Sequence, residues 1–406
     1  MFNLCVLVST YHPFHSANSK CIGNIVEALA DSYSVTVIAS GLMGIHDSYV
    51  NNVKVIANPH TRVPTFFSRG LSFIRRLSHK NSADVRVSSF FLDTLLKLKD
   101  VPDIIIPVCF PIESLHAALS YKSMRDVVVI PYLLDVISSS DTAHTFQIIR
   151  SIKLRSNLSF ERSLVMRSNC VVVNEPWYEH LKKINALNDN VYLLGHPLVK
   201  DFRNKNSVTH FSGVKFYYGG VLSKKVRDPS FFIEVFRVLL QKRPDVHLDI
   251  CHRGDCSDLV SSLSREFSSA TDYGFVGSDE AITLMLQANF LVLIGNNHLG
   301  QIQSKVYEYI SCGAPIVFFC KRKDDPVIGI LSSYPNALTI VDGEGIDSVV
   351  SKIEAFASSQ KNSLIPYEEI SSIYKENCVE HIADRFDVIV RSAMMEAPLN
   401  KAGELY

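Results

Sequence analysis

Five stretches in the second half of the chain place cations, small residues and a carboxylate where a phosphate-bearing ligand would need them. YYGGVLSKKVRDP (217–229) reads as a strand, a glycine pair, a basic loop and a helix start. The glycines permit close backbone approach, and Lys224, Lys225 and Arg227 could neutralise a diphosphate. CHRGD (251–255) ends another apolar run with Arg253 and a glycine. YGFVG (273–277) ends a third, where backbone groups around Val276 could meet a base, and LIGNN (293–297) ends a fourth with Asn296 and Asn297. The last stretch is GQIQSKVYEYISCGAPIVFF (300–319). SKVYEYIS predicts a short helix from near Ser304, closed by Gly313, with Pro315 launching the next strand. Free N–H groups at such a start favour an anion, and Lys305 adds a charge. Glu308 lies four residues after Ser304 on the same face, one residue too late for a capping box. Its carboxylate is therefore expected to accept hydrogen bonds from two neighbouring hydroxyls, as on a ribose, at about 1.5–3 kcal/mol for a charge-assisted bond. The competing reading is a solvated Lys305–Glu308 pair worth about 0.2–0.5 kcal/mol.

These loops must be held by a scaffold, and the rest of the sequence describes one. Short Val- and Ile-rich runs alternate with longer amphipathic segments, the pattern of βα units and parallel sheets. Strands are expected at 3–9, 34–40, 53–57, 103–108, 126–132, 170–174 and 191–195 in the first half. In the second half they are expected at 214–220, 246–251, 273–277, 290–295, 315–319 and 338–341. Helices are expected at 229–243, capped by Asp228 with Pro229 as first residue, and at 278–288, opened by Ser278, Asp279 and Glu280. The polar stretch 195–213 carries few core signals and marks the boundary between two domains. The expected division is 1–205, 206–385 and a tail, 386–406, returning to the first domain. The fold class is α/β: two facing, doubly wound, Rossmann-like parallel-sheet domains, with ligands outside the carboxyl ends of the strands in an interdomain cleft.

Composition agrees with this scaffold. A chain of 406 residues is too long for one ordinary core. With 47% hydrophobic and 20% charged residues it is globular. A formal net charge of zero gives no whole-molecule field, and no nucleic-acid partner is expected. Nine cysteines lack a paired-knuckle spacing and read as reduced, buried thiols of a cytoplasmic protein. The N-terminal MFNLCVLVSTYHPF has no basic leader and no small-residue cleavage site, so it is expected to form a strand rather than a signal peptide. No apolar window is long enough to span a bilayer.

With these residues assembled, the second half resembles the nucleotide-sugar-binding domain of GT-B glycosyltransferases, close to the family-4 type. The residues that carry the resemblance are YYGGVLSKKVRDP, YGFVGSDEAITLMLQANFLVLIGNN and SKVYEYISCGAPIVFF, and it covers roughly 215–345 well. The first domain is similar more loosely, through residues 6–40. The resemblance implies transfer of a sugar from a nucleotide diphosphate donor, with a UDP-sugar favoured. The acceptor would be a carbohydrate or a lipid-linked glycan in surface polysaccharide assembly. It further implies retained anomeric configuration, no required cofactor and no bound metal. Helix starts and cations would then stabilise the leaving diphosphate. By resemblance Glu308 holds the ribose. The first of the family's two glutamates falls on Gly300, so backbone groups of Gln301, Ile302 and Gln303 would substitute. The family's arginine after the first glycine is Gly220 here, and its phosphate role passes to Arg227 or Lys225. The Gly-Gly of the first loop is replaced by FHSANS, where Ser16, Ala17 and Asn18 are small enough to admit a phosphate.

Asp135, in PYLLDVISSSD, ends a strand facing the expected cleft, and in the resembling enzymes a polar residue near this place touches the donor sugar. His116, like His12 and His15, is a candidate contact to sugar or acceptor. Asp324 and Asp325 are adjacent, as in a surface turn, and no metal constellation stands out. Two other readings stay open: a nucleotide-sugar 2-epimerase, and a catalytically silent module that binds a nucleotide sugar or a partner enzyme. The segment 61–80 carries Arg62, Arg69, Arg75, Arg76 and Lys80, with Phe66, Phe67, Phe73 and Ile74 between them and no acidic residue. This composition suits the periphery of an anionic membrane. Anionic vesicles are accordingly expected to pull the protein down, and charge reversal at Arg75 and Arg76 to weaken the recovery. Equal recovery with neutral vesicles would remove the membrane reading.

Overall fold

A computed structural model describes residues 1–11, 17–41, 48–50, 52–58, 81, 83–138, 147–203, 211, 213–297, 302–360 and 363–396. The basic segment 61–80, His12, His15, Ser16, Gly300 and Gln301 lie outside the described residues. The chain divides into two compact units, Met1–Leu198 with Glu376–Tyr406, and Val199–Lys375. These boundaries stand at 198/199 and 375/376, against 205/206 and 385/386 expected from sequence.

The first unit contains β1 (Asn3–Val8), α1 (Ala17–Leu29), β2 (Ser34–Ala39), β3 (Ser48–Val50), β4 (Val53–Ala57), α2 (Val85–Lys97), β5 (Ile104–Pro107), α3 (Ile112–Lys122), β6 (Val128–Val129), β7 (Tyr132–Leu133), α4 (Gln147–Arg167), β8 (Val171–Val173), α5 (Glu175–Lys183) and β9 (Val191–Leu193). One sheet runs in the order β3-β4-β2-β1-β5-β6, and a second runs β7-β8-β9. A parallel bridge between Val108 and Tyr132 joins them. All pairings are parallel except β3 with β4. The expected strand 126–132 is broken between β6 and β7 at Ile130-Pro131. The proline has no N–H to give to a ladder.

The second unit contains β10 (Val214–Leu222), α6 (Ser230–Lys242), β11 (Val246–Gly254), α7 (Ser257–Glu266), β12 (Ala270–Gly274), α8 (Ser278–Gln287), β13 (Phe290–Ile294), α9 (Lys305–Ser311), β14 (Ile316–Cys320), α10 (Pro326–Leu331), β15 (Ala337–Val341), α11 (Ile346–Gln360) and α12 (Tyr367–Ile373). Its sheet is wholly parallel, in the order β12-β11-β10-β13-β14-β15. That is the doubly wound order 3-2-1-4-5-6, whose direction reverses between the first and fourth strands. The apolar runs of the sequence are these strands because both faces of the sheet are covered. On one face Phe216, Phe232, Phe236, Phe290 and Phe319 pack in a single cluster. The third strand is 270–274 and not 273–277. Tyr273 is an extra residue in the ladder, since Ile250 pairs with Asp272 and Cys251 with Gly274. Gly274, at φ +58°, then turns the chain away. Val276 therefore lies in a turn.

The last helix, α13 (Val379–Glu396), belongs to the first unit and packs on α1. The Tyr33 hydroxyl donates to the Asp387 carboxylate at 2.5 Å, and Tyr132 meets Phe386 edge-on at 6.1 Å.

All nine cysteines are unpaired and buried. Burial pushes the thiols of Cys251, Cys256 and Cys320 up to about 11, and those of Cys21, Cys170 and Cys312 up to about 12. A thiol at about 11 is roughly one part in a thousand thiolate near pH 8, and the thiolate is the reactive form. Iodoacetamide near pH 8 is thus expected to spare the folded protein and to label all nine sites in concentrated urea. Unfolded thiols ionise from about pH 8.5 while these stay protonated, so their contribution is complete below that pH and is lost above it. The melting temperature should fall as pH is raised from about 8.5 to about 10.5, and a flat profile would contradict the burial.

Candidate functional site

At the carboxyl edge of the second unit's sheet, four loops leave four adjacent strands, and side chains tie three of them together. After β10, Ser223 and Arg227 exchange both backbone hydrogen bonds, at 3.0 and 2.7 Å, closing the basic loop as a tight turn. From the β13 side, Asn297 donates its backbone N–H to Val226 at 2.7 Å. Its side-chain amide reaches the carbonyls of Lys224 and Lys225 at 3.0 and 3.1 Å. From the β11 side, the Asp255 carboxylate accepts from the Lys224 N–H at 3.1 Å and from the Ser223 hydroxyl at 3.3 Å. The loop backbone is thus pinned from both sides, and the Lys224 and Lys225 side chains are left exposed to solvent. Arg227 lies across the reversal point, with Nε and Nη2 donating to the Asn296 side-chain oxygen at 3.2 and 2.8 Å.

Helix α6 starts at Ser230, one residue later than expected, with Pro229 at its cap position. Asp228 is not the cap expected of it but stands one residue earlier, accepting from the Ser230 N–H at 3.0 Å and hydroxyl at 2.6 Å. Arg253, the last residue but one of β11, holds its guanidinium 5.9 Å above the ring of Phe275, which is 74% exposed. Val276 sits half-buried beside it, between Gly274 and Gly277.

Gln303 is buried and donates to the Ile294 carbonyl at 3.1 Å, anchoring the chain just before α9 to the end of β13. Ser304 takes the cap position of α9 in helical backbone conformation and makes no capping bond with its side chain. Lys305 Nζ contacts Glu308 Oε2 at 2.6 Å. This arrangement is neither of the two anticipated from sequence. The glutamate is already engaged by a lysine, and only the lysine end of the pair reaches solvent, because Glu308 is 5% exposed and the Lys305 side chain 24%. The ring of Tyr309 lies 6.0 Å below the same ammonium. Tyr309 accepts the Gly219 N–H on its hydroxyl at 2.8 Å. Burial holds its phenol well above the ordinary range.

In the first unit Asp135 follows β7 and is held on three sides. Its carboxylate accepts from the Asn18 side-chain amide at 3.0 Å and its carbonyl from the Cys109 thiol at 2.9 Å. The preceding carbonyl, of Leu134, accepts from Asn174 at 2.6 Å. Asn174 also caps α5 through the Trp177 N–H at 3.2 Å and lies 3.4 Å from His196 Nε2. Burial holds His196 below the ordinary imidazole range, against the opposing charge of Asp135. Asn18, Cys109, Asp135, Asn174 and His196 follow β1, β5, β7, β8 and β9, so they share one edge of that unit's strands. His116 is elsewhere: on the second turn of α3 its ring stacks on Phe160 at 4.3 Å. Ala17 is the first residue of α1.

Sequence reading missed Asp255, Tyr309, Asn174 and His196. Asp255 and His196 follow strand ends and were findable on that ground. Tyr309 reads only as a buried helix position. Asp325 was expected in a surface turn; it is buried and caps α10 by accepting the Val327 N–H at 2.9 Å. Among the described residues no three His, Cys, Asp or Glu side chains are grouped as a metal would require, and no helix is long and apolar enough to cross a membrane.

The two doubly wound units define the GT-B fold, and solved structures of that fold superpose on the whole chain. Sucrose-phosphate synthase from Thermosynechococcus elongatus matches over 97% of this chain and 100% of its own, at TM-score 0.63 and 12% identity. HepE from Anabaena, in complex with UDP, matches over 97% and 100%, at TM-score 0.60 and 13% identity. A putative UDP-N-acetylglucosamine 2-epimerase from Listeria monocytogenes matches over 96% of each chain, at TM-score 0.61 and 10% identity. No family model and no curated protein matches by sequence.

The Lys305–Glu308 contact yields a stability test. Lys305→Met leaves a buried carboxylate without its ammonium, and urea unfolding is expected to show a loss of about 1–3 kcal/mol. Lys224→Met, at an exposed position, should stay within about 0.5 kcal/mol of wild type. Equal effects would mean that the pair carries no load.

Proposed function

We propose that the second unit binds the nucleoside diphosphate of a nucleotide sugar, and that the chain is a glycosyltransferase. The observation that carries this reading is the gathering of Lys224, Lys225 and Arg227 at the reversal point of a 3-2-1-4-5-6 sheet, one strand from Arg253. Such a crevice is where doubly wound sheets take ligands. Cations fixed to a pinned backbone loop suit a diphosphate better than free surface lysines do, because little conformational freedom is lost on binding. The diphosphate would lie against this loop, with Lys305 turning from Glu308 to a phosphate oxygen. Glu308 would then accept the ribose hydroxyls, and the turn at Val276, with Arg253 beside it, would take the base. A UDP-sugar is the favoured donor, in keeping with the UDP complex of a protein that shares the fold.

In the first unit, Asp135 is the proposed polar contact for the sugar, presented by Asn18 and Cys109 rather than left to solvent. The sugar would pass, with retained configuration, to a carbohydrate or lipid-linked glycan acceptor. Departure of the diphosphate is assisted by the cations named above, which stabilise the charge that grows on its oxygen. An epimerase also shares the fold, and donor incubated without acceptor separates the readings. An epimerase changes the sugar of the intact nucleotide, whereas a transferase and a silent module both leave it, and only the transferase consumes it once an acceptor is added.

Thermal unfolding with UDP, GDP and ADP tests the binding step. A ligand at 100 times its Kd adds about 2.7 kcal/mol to stability. Wild type is expected to respond to UDP. Glu308→Gln should bind it roughly 10–100-fold more weakly, the equivalent of about 1.5–3 kcal/mol. No response to any nucleoside diphosphate or to intact nucleotide sugars would sink the proposal.

A further inference from the structure

The reversal point of the second unit's sheet has an unusual floor. Strand β10 pairs with β13 only at Phe216, Tyr217 and Tyr218. With β11 it continues to Leu222. From Gly219 onward, β10 therefore has no strand partner on the β13 side. Its next amide on that side would be an unpaired buried donor, a costly state. The hydroxyl of Tyr309 takes that proton at 2.8 Å. Tyr309 is completely buried, with its ring centroid 6.3 Å from that of Tyr217. The glycine pair above is shaped to this floor. A Cβ on Gly219 would come 2.5 Å from the Tyr217 hydroxyl, and one on Gly220 would come 3.0 Å from the Tyr218 hydroxyl and 3.5 Å from Arg227 Nη1.

We infer that Tyr309 is a positioning residue of the nucleotide site, coupling α9, which carries Lys305 and Glu308, to the end of β10 and the basic loop that follows. The inference rests on the nucleoside diphosphate reading given above. Its physical content is a single hydrogen bond that sets two groups of ligand contacts against each other: Glu308 and Lys305 on one side, Lys224, Lys225 and Arg227 on the other. Both groups belong to the same unit, so the coupling is local. A site whose halves are fixed before binding gives up less freedom to the ligand. Loosening the bond would weaken binding without removing any group that touches the ligand.

Tyr309→Phe deletes only the hydroxyl and keeps the ring beneath Lys305. The matched control is Tyr334→Phe, whose buried hydroxyl donates to the Ala314 carbonyl at 2.8 Å in the same unit. Calorimetric titration with UDP is expected to show about a tenfold rise in Kd for Tyr309→Phe and none for Tyr334→Phe, at comparable losses of stability. In a double-mutant cycle with Glu308→Gln the two effects should fall short of additive, because the tyrosine acts through the glutamate's placement. An unchanged Kd in Tyr309→Phe, an equal rise in Tyr334→Phe, or full additivity would overturn the positioning role alone. Failure of wild type to bind any nucleoside diphosphate would overturn the nucleotide reading and this inference with it. Should Tyr309→Phe not fold, amide exchange on wild type decides: Gly219 is expected to be as protected as Tyr218 and more so with UDP. A rapidly exchanging Gly219 amide would refute the bond.

Discussion

Two parallel strands that part company must each find new partners for their backbone. That constraint organises the second unit. Where β10 leaves β13, the sheet can no longer satisfy the donors and acceptors it has been satisfying, and leaving them bare in the interior is expensive. Side chains take over. Tyr309 receives the first orphaned amide, Asn297 covers the carbonyls of Lys224 and Lys225, and Asp255 covers the amide of Lys224 from the opposite side. A loop that would otherwise be mobile becomes a fixed bearing for cations. The opening needed to admit a ligand and the polar side chains needed to stabilise that opening are one arrangement.

The first unit solves the same problem with different residues. Its strands also end at an edge where one carboxylate, Asp135, is presented on a backbone held at both ends. Asn174 holds the carbonyl of Leu134, and the buried Glu161 receives the N–H of Ser138 at 2.8 Å. Glu161 is in turn paired with His180 Nε2 at 2.8 Å. Two helices, α4 and α5, thus fix a five-residue stretch that contains one half-buried acid. Such layering, in which packed groups orient the ones that face outward, is what keeps a site within a fraction of an ångström of its working geometry.

Much of this was legible in the sequence, for physical reasons. Strands of a parallel sheet covered on both faces are continuous apolar runs, so VKFYYGG, FLVLIG and PIVFF announced themselves. The basic loop was legible because it sits immediately beyond such a run, and Glu308 because it lies on the short helix between two of them. The losses have equally definite causes. The turn at Gly274 ends β12 three residues before the expected 277, and nothing local distinguishes the bulged Tyr273 ahead of it from a paired one. Ile130-Pro131 split a strand that periodicity joined. The Lys305–Glu308 contact has the spacing of a surface pair, and only the folded chain reveals that its carboxylate is buried. Tyr309 and Asn297 act on backbone atoms far along the chain, a relation that no window of sequence contains.

Helix α13 carries a consequence for how the molecule is made. The second unit is one uninterrupted stretch, Val199–Lys375, whereas the first is assembled from residues before and after it. On a ribosome, the strands of the first unit emerge early, but the helix that covers α1 and receives the hydroxyl of Tyr33 is translated only after the entire second unit. Until then the face of α1 that packs on α13, and the Tyr33 and Tyr132 side chains that meet Asp387 and Phe386, lack that cover. The second unit can therefore be complete while its older neighbour is still unfinished. The nascent chain spends that interval with an apolar surface open to chaperones and to other chains.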